Sequence, residues 1–189
     1  IWMIQSKKYE GAGKMVSMLA KFFRISLSQG KDIIPLQKEL EHAVSYLSIQ
    51  NVRFQDKFTF TVDWDEKLAD CLCPKLVIQP LLENAVYHGM EGMYEDGEIQ
   101  LKIYAVNELV HIDVIDNGEG MTEAQVQKMM QGDVVSSKRG SGIGVKNVND
   151  RIKLYFGEAY GVQIISAPDE GTTARIYFPM RRQEDETEK

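Results

Sequence analysis

Hydrophobic residues recur at helical spacing over the first third of the chain and alternate with polar ones over much of the remainder. Between Trp2 and Leu27, the residues Met15, Met18, Leu19, Phe22, Phe23 and Leu27 follow a helical period, and the run G-K-D at Gly30 to Asp32 ends it. After Pro35, a residue suited to a helix start, the period resumes through Leu36, Leu40, Ala43, Val44, Leu47 and Gln50, with Lys38, Glu39 and Glu41 on the other face. These segments predict an antiparallel helical hairpin with a short connection, a unit that commonly completes its core by dimerising. Beyond Phe54 the pattern changes: KFTFTVDW alternates as a half-buried strand does. PKLVIQPLLENAVYHGM predicts a helix carrying Leu76, Leu81, Leu82, Ala85 and Val86 inward, followed by a loop through Gly92 and Asp96. EIQLKIYAV and ELVHIDVIDN predict two strands joined by a tight turn at Asn107. A short helix is expected from Glu123 to Met130, and the polar stretch Gly132 to Arg139 is expected to be mobile. VKNVNDRIKLYF predicts a helix with Val145, Val148, Ile152 and Tyr155 on one face, and VQIISA and TTARIYFP a closing pair of strands.

Antiparallel strands with helices inserted between them predict an α+β fold: a two-layer α/β sandwich of one mixed, mostly antiparallel sheet and one helical layer, preceded by the α-helical hairpin. The expected division is a helical dimerisation or linker region over residues 1–55, a second unit over 56–182 and a charged tail over 183–189. The chain opens at Ile1 inside an apolar-periodic stretch with no initiator methionine or cap, so it is expected to be a piece of something longer.

Composition narrows the function only by exclusion. With 189 residues, 43% of them hydrophobic, the chain can bury a core, and a formal charge of -6 argues against nucleic acid as its main partner. Cys71 and Cys73 form a C-x-C beside Pro74, neither a redox C-x-x-C nor half of a zinc site, and are expected to be reduced thiols of a cytosolic protein. No apolar run is long enough to span a bilayer, and no signal peptide precedes the first helix.

The glycines change the picture. Gly118, Gly120, Gly140, Gly142 and Gly144 fall in two clusters with a polar, basic stretch between them. Glycine loses more backbone freedom on folding than any other residue, so such grouping implies a close approach to the main chain, with phosphate the first expectation. G-S-G-I-G-V lacks the preceding strand of a dinucleotide fingerprint, and Lys138-Arg139-Gly140 is not a Walker loop. Three ordered elements carry more: L-L-E-N-A-x-x-H-G at Leu81 to Gly89, D-N-G-E-G-M at Asp116 to Met121, and G-S-G-I-G at Gly140 to Gly144, with G-T-T before the last strand.

These elements resemble the N-box and the two glycine boxes of the Bergerat ATP-binding fold, shared by type II topoisomerases, Hsp90-class chaperones, mismatch-repair ATPases and sensor histidine kinases. L-Q-K-E-L-E-H-A-V-S-Y-L-S-I-Q-N-V-R-F-Q-D-K-F, from Leu36 to Phe58, resembles the stretch joining the histidine box to the ATPase domain in sensor kinases of the YesM/LytS type. The resemblance implies ATP and Mg²⁺ as ligands, with Asp116 accepting the exocyclic amine of adenine, Gly118 and Gly120 letting the backbone pass the base, and Met121 as an apolar wall. It implies that Asn84, beside Glu83 at the catalytic end, offers an oxygen to magnesium, and that His88 touches a phosphate or the ribose. Gly140, Gly142, Ile143 and Gly144 are implied to meet the β and γ phosphates at a helix start, Lys138 and Arg139 to add charge, and Thr172 to close the pocket floor. Thr122 to Arg139 is the implied lid.

The function so implied is that of the cytoplasmic catalytic part of a membrane-anchored sensor histidine kinase. It passes the γ-phosphoryl group to a histidine and thence to a response-regulator receiver domain, and is a homodimer in full length, touching the membrane only through N-terminal segments outside this sequence. Two departures qualify it. Topoisomerase and chaperone ATPases place a general-base glutamate four positions before the magnesium asparagine, where this chain has Pro80, which favours phosphoryl transfer over hydrolysis. The histidine box N-P-H-F-L-x-N is not in the sequence and is expected upstream of Ile1, so the chain should bind ATP without phosphorylating itself. His42 fits the family's second helix rather than its phosphorylated histidine, and His111 is expected to be an exposed sheet residue. An anti-sigma-type serine kinase and a non-catalytic nucleotide-sensing dimerisation module remain alternatives.

Overall fold

Both stretches of helical periodicity are helices in the computed structural model, which describes residues 9–27, 32–54, 57–89, 96–133 and 142–182. Helix α1 spans Tyr9–Leu27 and α2 spans Leu36–Arg53. They pack on each other through Phe22, whose ring stacks on His42 at 4.3 Å and lies near Tyr46. His42 is buried, and burial depresses its imidazole to about 4. Val16 and Phe23 leave α1 exposed. Between the helices lies β1 (Ile33–Pro35), antiparallel to β3 (Leu72–Pro74), a two-stranded pairing that three-residue stretches without a period do not announce. Proline biases the residue before it towards extended backbone, which suits both strands.

Among the described residues the main sheet has five strands in the order β2-β4-β5-β7-β6. They are β2 (Phe58–Trp64), β4 (Gly97–Val106), β5 (Leu109–Asp116), β6 (Gly161–Ser166) and β7 (Thr172–Pro179). β2 runs parallel to β4 and the other pairings are antiparallel, the mixed, mostly antiparallel sheet that alternation predicts. The β4–β5 turn is two residues long, Asn107 and Glu108, both left-handed at φ 50° and 62°, the geometry that matches strand twist. Ile99, Leu101, Ile103, Val110, Ile112, Val114, Ile176 and Phe178 fill one face. Against it pack α3 (Ile78–Asn84) and α5 (Ile143–Phe156), bringing Leu81, Leu82, Val145, Val148 and Ile152. On the other face Asp113 is buried and held by both arms of Arg175 at 2.8 and 2.7 Å. His111 lies there half-buried, stacked on Tyr104 and near Tyr177, rather than exposed.

Helix α3 is shorter than the apolar pattern suggests, and Pro80 explains why. A helix running from Pro74 would drive the proline ring into the carbonyl of Leu76. The chain instead ends β3 at Pro74, turns through Leu76 at φ 57° and starts the helix at Ile78, which puts Pro80 in the first turn where its missing N–H is not needed. A π-helical turn, Ala85–Gly89, follows Asn84. Helix α4 (Glu123–Gln131) starts at a capping box of Thr122 and Gln125 and stops at Gly132. The charged tail, residues 183–189, and most of the polar stretch expected to be mobile, residues 134–139, lie outside the described residues.

Candidate functional site

Asp116 closes the middle strand of the sheet, paired with Ile99 on one side and Thr172 on the other. Its side chain is buried, at 8% exposure. Burial raises the carboxyl from 3.8 to about 6, against the opposing pull of the Gly118 and Thr172 amides; the Gly118 N–H donates to Oδ1 at 3.0 Å. A folded state that holds this proton more tightly than the unfolded chain loses stability as the pH rises from 3.8 towards 6. Urea melts of the nucleotide-free chain are expected to show the stability of wild type falling relative to that of Asp116→Asn by up to about 3 kcal/mol across that window, the contributions of buried His42 and Glu39 being common to both. An identical pH profile in both proteins would refute the assignment.

The loop after Asp116 is fixed on two sides. Towards β4, Asn117 accepts the Glu98 N–H at 2.8 Å and donates to the Asp96 carbonyl at 2.9 Å. Towards the β6–β7 turn, the Asp169 N–H donates to the Glu119 carbonyl at 2.7 Å and the Met121 N–H to Ser166 Oγ at 2.8 Å. Ser166 in turn donates to the Gly171 carbonyl at 2.8 Å and meets the Thr172 hydroxyl at 3.0 Å. Sequence reasoning missed both Asn117 and Ser166: Asn-Gly reads as an ordinary turn, and a lone serine ending a strand carries no signal. The structure also gives Gly120 a second reason to be glycine. It is left-handed, φ 66°, and a Cβ there would fall 1.9 Å from the Ala167 carbonyl oxygen, so the chain's own turn requires it. Gly118 is buried and Met121 half-buried against the core.

At the other end Gly142 is the N-cap of α5, and among the described residues no side chain caps that helix. A helix start of that kind suits an anion, with the positive end of the helix dipole behind its first-turn amides. The helix starts at Ile143, earlier than the sequence suggests, so Gly144 lies inside the first turn rather than ahead of it. Ile143 is exposed; a Cβ at Gly144 would stand 3.4 Å from Pro80, and one at Gly142 within 2.8 Å of the Met129 backbone and the Asp133 carbonyl. The proline at the general-base position is thus part of the packing of α3 on α5.

Asn84 is the last residue of α3 and is half-buried, and among the described residues no hydrogen bond engages its side chain. Glu83 accepts from Gln79 of its own helix at 2.7 Å. Because α3 packs against both β5 and α5, the helix ending in Asn84 neighbours both the strand that ends in Asp116 and the helix that follows Gly142. The backbone of His88 lies in the π-turn; its side chain, with Lys138, Arg139 and Gly140, lies outside the described residues. Among the described residues no cluster of three or more His, Cys, Asp or Glu could hold a metal ion. One amide oxygen suits a hard cation that takes its other ligands from phosphates and water, so Asn84 fits magnesium in that role. A cleft of about 350 Å³ lined by residues including Lys75 and Arg151, and one of about 270 Å³ including Trp64 and Tyr104, involve none of these site residues.

A mostly antiparallel sheet backed by helices, with a buried acid at the end of its middle strand and an uncapped helix nearby, frames one class of nucleotide-dependent enzymes. The chain belongs to the histidine kinase-, DNA gyrase B- and HSP90-like ATPase family, whose model matches residues 70–182. Within that class, residues 1–58 match the histidine kinase family model. The sensor histidine kinase YesM of Bacillus subtilis (strain 168) is 35% identical over 96% of this chain and 30% of its own length. The sensor protein LytS of Bacillus anthracis is 33% identical over 94% of this chain and 30% of its own. The chain thus spans about 30% of the length of these curated relatives. The catalytic domain of histidine kinase ThkA shares the fold at a TM-score of 0.60, with 16% identity over 78% of this chain and 96% of that one. The mycobacterial sensor histidine kinase MprB shares it at 0.57, with 18% identity over 80% and 98%. Among the described residues no helix is long and apolar enough to cross a membrane.

Proposed function

We propose that this chain is the ATP-binding catalytic part of a bacterial two-component sensor histidine kinase. Asp116 carries the reading: a buried acceptor fixed by the loop around it selects the amino group of adenine and rejects guanine, which presents a carbonyl there. Gly118, Gly120 and Met121 flank the base, and the hydroxyl of Thr172, held by Ser166, floors the pocket. The amides of Ile143 and Gly144, ahead of Val145, take the β and γ phosphates, with Lys138, Arg139 and Gly140 completing the phosphate end. Asn84 offers its oxygen to Mg²⁺, with Glu83 and His88 beside it. Magnesium held by Asn84 would supply positive charge to offset that of the phosphates. The chain's own contribution is positioning and electrostatic complementarity, with Thr122 to Arg139 as the lid.

The acceptor is a histidine on the helical region of the whole protein, and a receiver-domain aspartate of a response regulator takes the phosphoryl group from it. Residues 1–55 belong to the region through which two copies pair, residues 56–182 to the catalytic unit, and the whole faces the cytoplasm from a membrane anchor carried elsewhere. One calorimetric series with one labelling experiment tests this. Mg·ATP is expected to bind and Mg·GTP not, and Asn84→Ala to lose about tenfold or more of the affinity that magnesium adds, with binding in EDTA unchanged. With labelled ATP and a segment carrying the histidine box, an acid-labile phosphate is expected. An acid-stable product would instead indicate a serine kinase, and binding without transfer a nucleotide sensor.

A further inference from the structure

Helix α3 begins without a cap of its own, because Val77 stands at its N-cap and supplies no side-chain hydrogen bond. Buried amides at a helix start must find partners elsewhere. These find Glu39, on α2. Its Oε2 accepts the Leu76 N–H at 2.8 Å, and its Oε1 accepts those of Val77 at 2.8 Å and Ile78 at 3.0 Å, across 37 to 39 residues of sequence. Glu39 is 0% exposed, and burial raises its carboxyl despite the three amides and the field of Arg151. Arg151, on α5, donates to the Lys75 carbonyl at 2.7 Å, so three helices converge on one turn. The far end of α2 holds the same segment beyond Asn84: Arg53 donates to the Tyr87 hydroxyl at 2.7 Å.

We propose that Glu39 is a positioning residue for Asn84: by capping α3 from the helical region, it fixes the asparagine at that helix's other end and makes α2 part of the nucleotide site. The inference rests on the reading of Asn84 as the magnesium ligand. α3 is two turns long, so a displacement of α2 passes through the carboxylate to Asn84 with little slack. Removing a partner that orients a metal ligand typically costs 10- to 100-fold in metal-dependent affinity.

The test uses this chain and ATP titrated with magnesium and with EDTA. Glu39→Gln keeps the shape of the side chain but turns one acceptor into a donor facing an N–H. It is expected to lose about tenfold of the tightening that magnesium gives, with affinity in EDTA within about twofold of wild type. In an Asn84→Ala background it is expected to change nothing further, since both act on one arm of the site. Leu47→Ala removes a fully buried side chain from the same helix without touching those amides, and should leave the magnesium dependence intact. An unaltered magnesium dependence in Glu39→Gln, an equal loss in Leu47→Ala, additivity with Asn84→Ala, or a parallel loss of binding in EDTA would each overturn the proposal. A wild-type chain that binds no ATP would instead remove the pocket reading, and one that binds it without regard to magnesium the role of Asn84; either takes this inference with it.

Discussion

Asp116→Asn is expected to lose nearly all ATP affinity while becoming more resistant to heat. The ligand side is set by chemistry at one atom. A carboxylate accepting an amine makes a charge-assisted bond of about 1.5–3 kcal/mol, and the asparagine NH₂ group, where it replaces that oxygen, points a donor at a donor. A combined loss of about 3–4 kcal/mol corresponds to a weakening of several hundredfold. The stability side follows from burial, which holds the carboxyl at about 6, so that at pH 7.5 the folded protein carries an ionised group where it is disfavoured. Asparagine removes that charge and still offers Oδ1 to the Gly118 N–H. A rise in melting temperature of about 2–4 °C is expected for each kcal/mol recovered in a chain of this size. Differential scanning calorimetry beside an ATP titration reads both effects. A variant that binds ATP as tightly as wild type would remove Asp116 from the site.

Gly171→Ala is expected to be strongly destabilising for a change of a single methyl group. Gly171 is left-handed, φ 77°, and a Cβ there would lie 2.1 Å from the Asp116 carbonyl oxygen. That oxygen belongs to a strand paired on both sides, and the neighbouring Thr172 is Asp116's own partner, so neither chain yields without breaking the ladder. Left-handed strain costs about 1 kcal/mol and a backbone clash about 1–3 more, a sum of about 2–4 kcal/mol against a typical stability of 5–15. Gly132→Ala separates the two contributions, since Gly132 is also left-handed, φ 85°, but a Cβ there meets only the flexible Lys146 side chain, at 2.7 Å. Urea melts should show Gly132→Ala losing about 1 kcal/mol and Gly171→Ala clearly more. Equal losses would mean that the hairpin gives way at no cost.

What was legible in the sequence was whatever repeats. Ten-residue alternation in β4 and the eight residues of β7 fix their faces, and α5 follows from Val145, Val148 and Ile152. The order of Asn84, Asp116 and the glycines carried the family. Pairings that depend on distant partners left no trace: β1 and β3 are three residues each, and Ser166 acts through Met121, forty-five positions away. Glu39 shows the limit most clearly. Beside Lys38 and Glu41 it looks like one more solvated charge on a polar face, yet it is sealed inside the protein, because the helix it caps lies elsewhere in the chain. The glycines were legible as close approaches, but not that Gly120 is demanded by the protein's own carbonyl as much as by any ligand.

The burial of α2 bears on how the molecule can be dissected. Cutting ahead of residue 56, where periodicity changes, would strip Leu36, Ala43 and Leu47 from the core and leave the Leu76, Val77 and Ile78 amides with no acceptor. The lost burial, about 1.5–3 kcal/mol for each large side chain, together with the lost amide hydrogen bonds at about 1 kcal/mol each, is of the order of the stability of an ordinary domain. The smallest self-sufficient piece is therefore expected to begin no later than Ile33, retaining the short strand that pairs with β3, so that α2 belongs mechanically to the body whose sheet follows it.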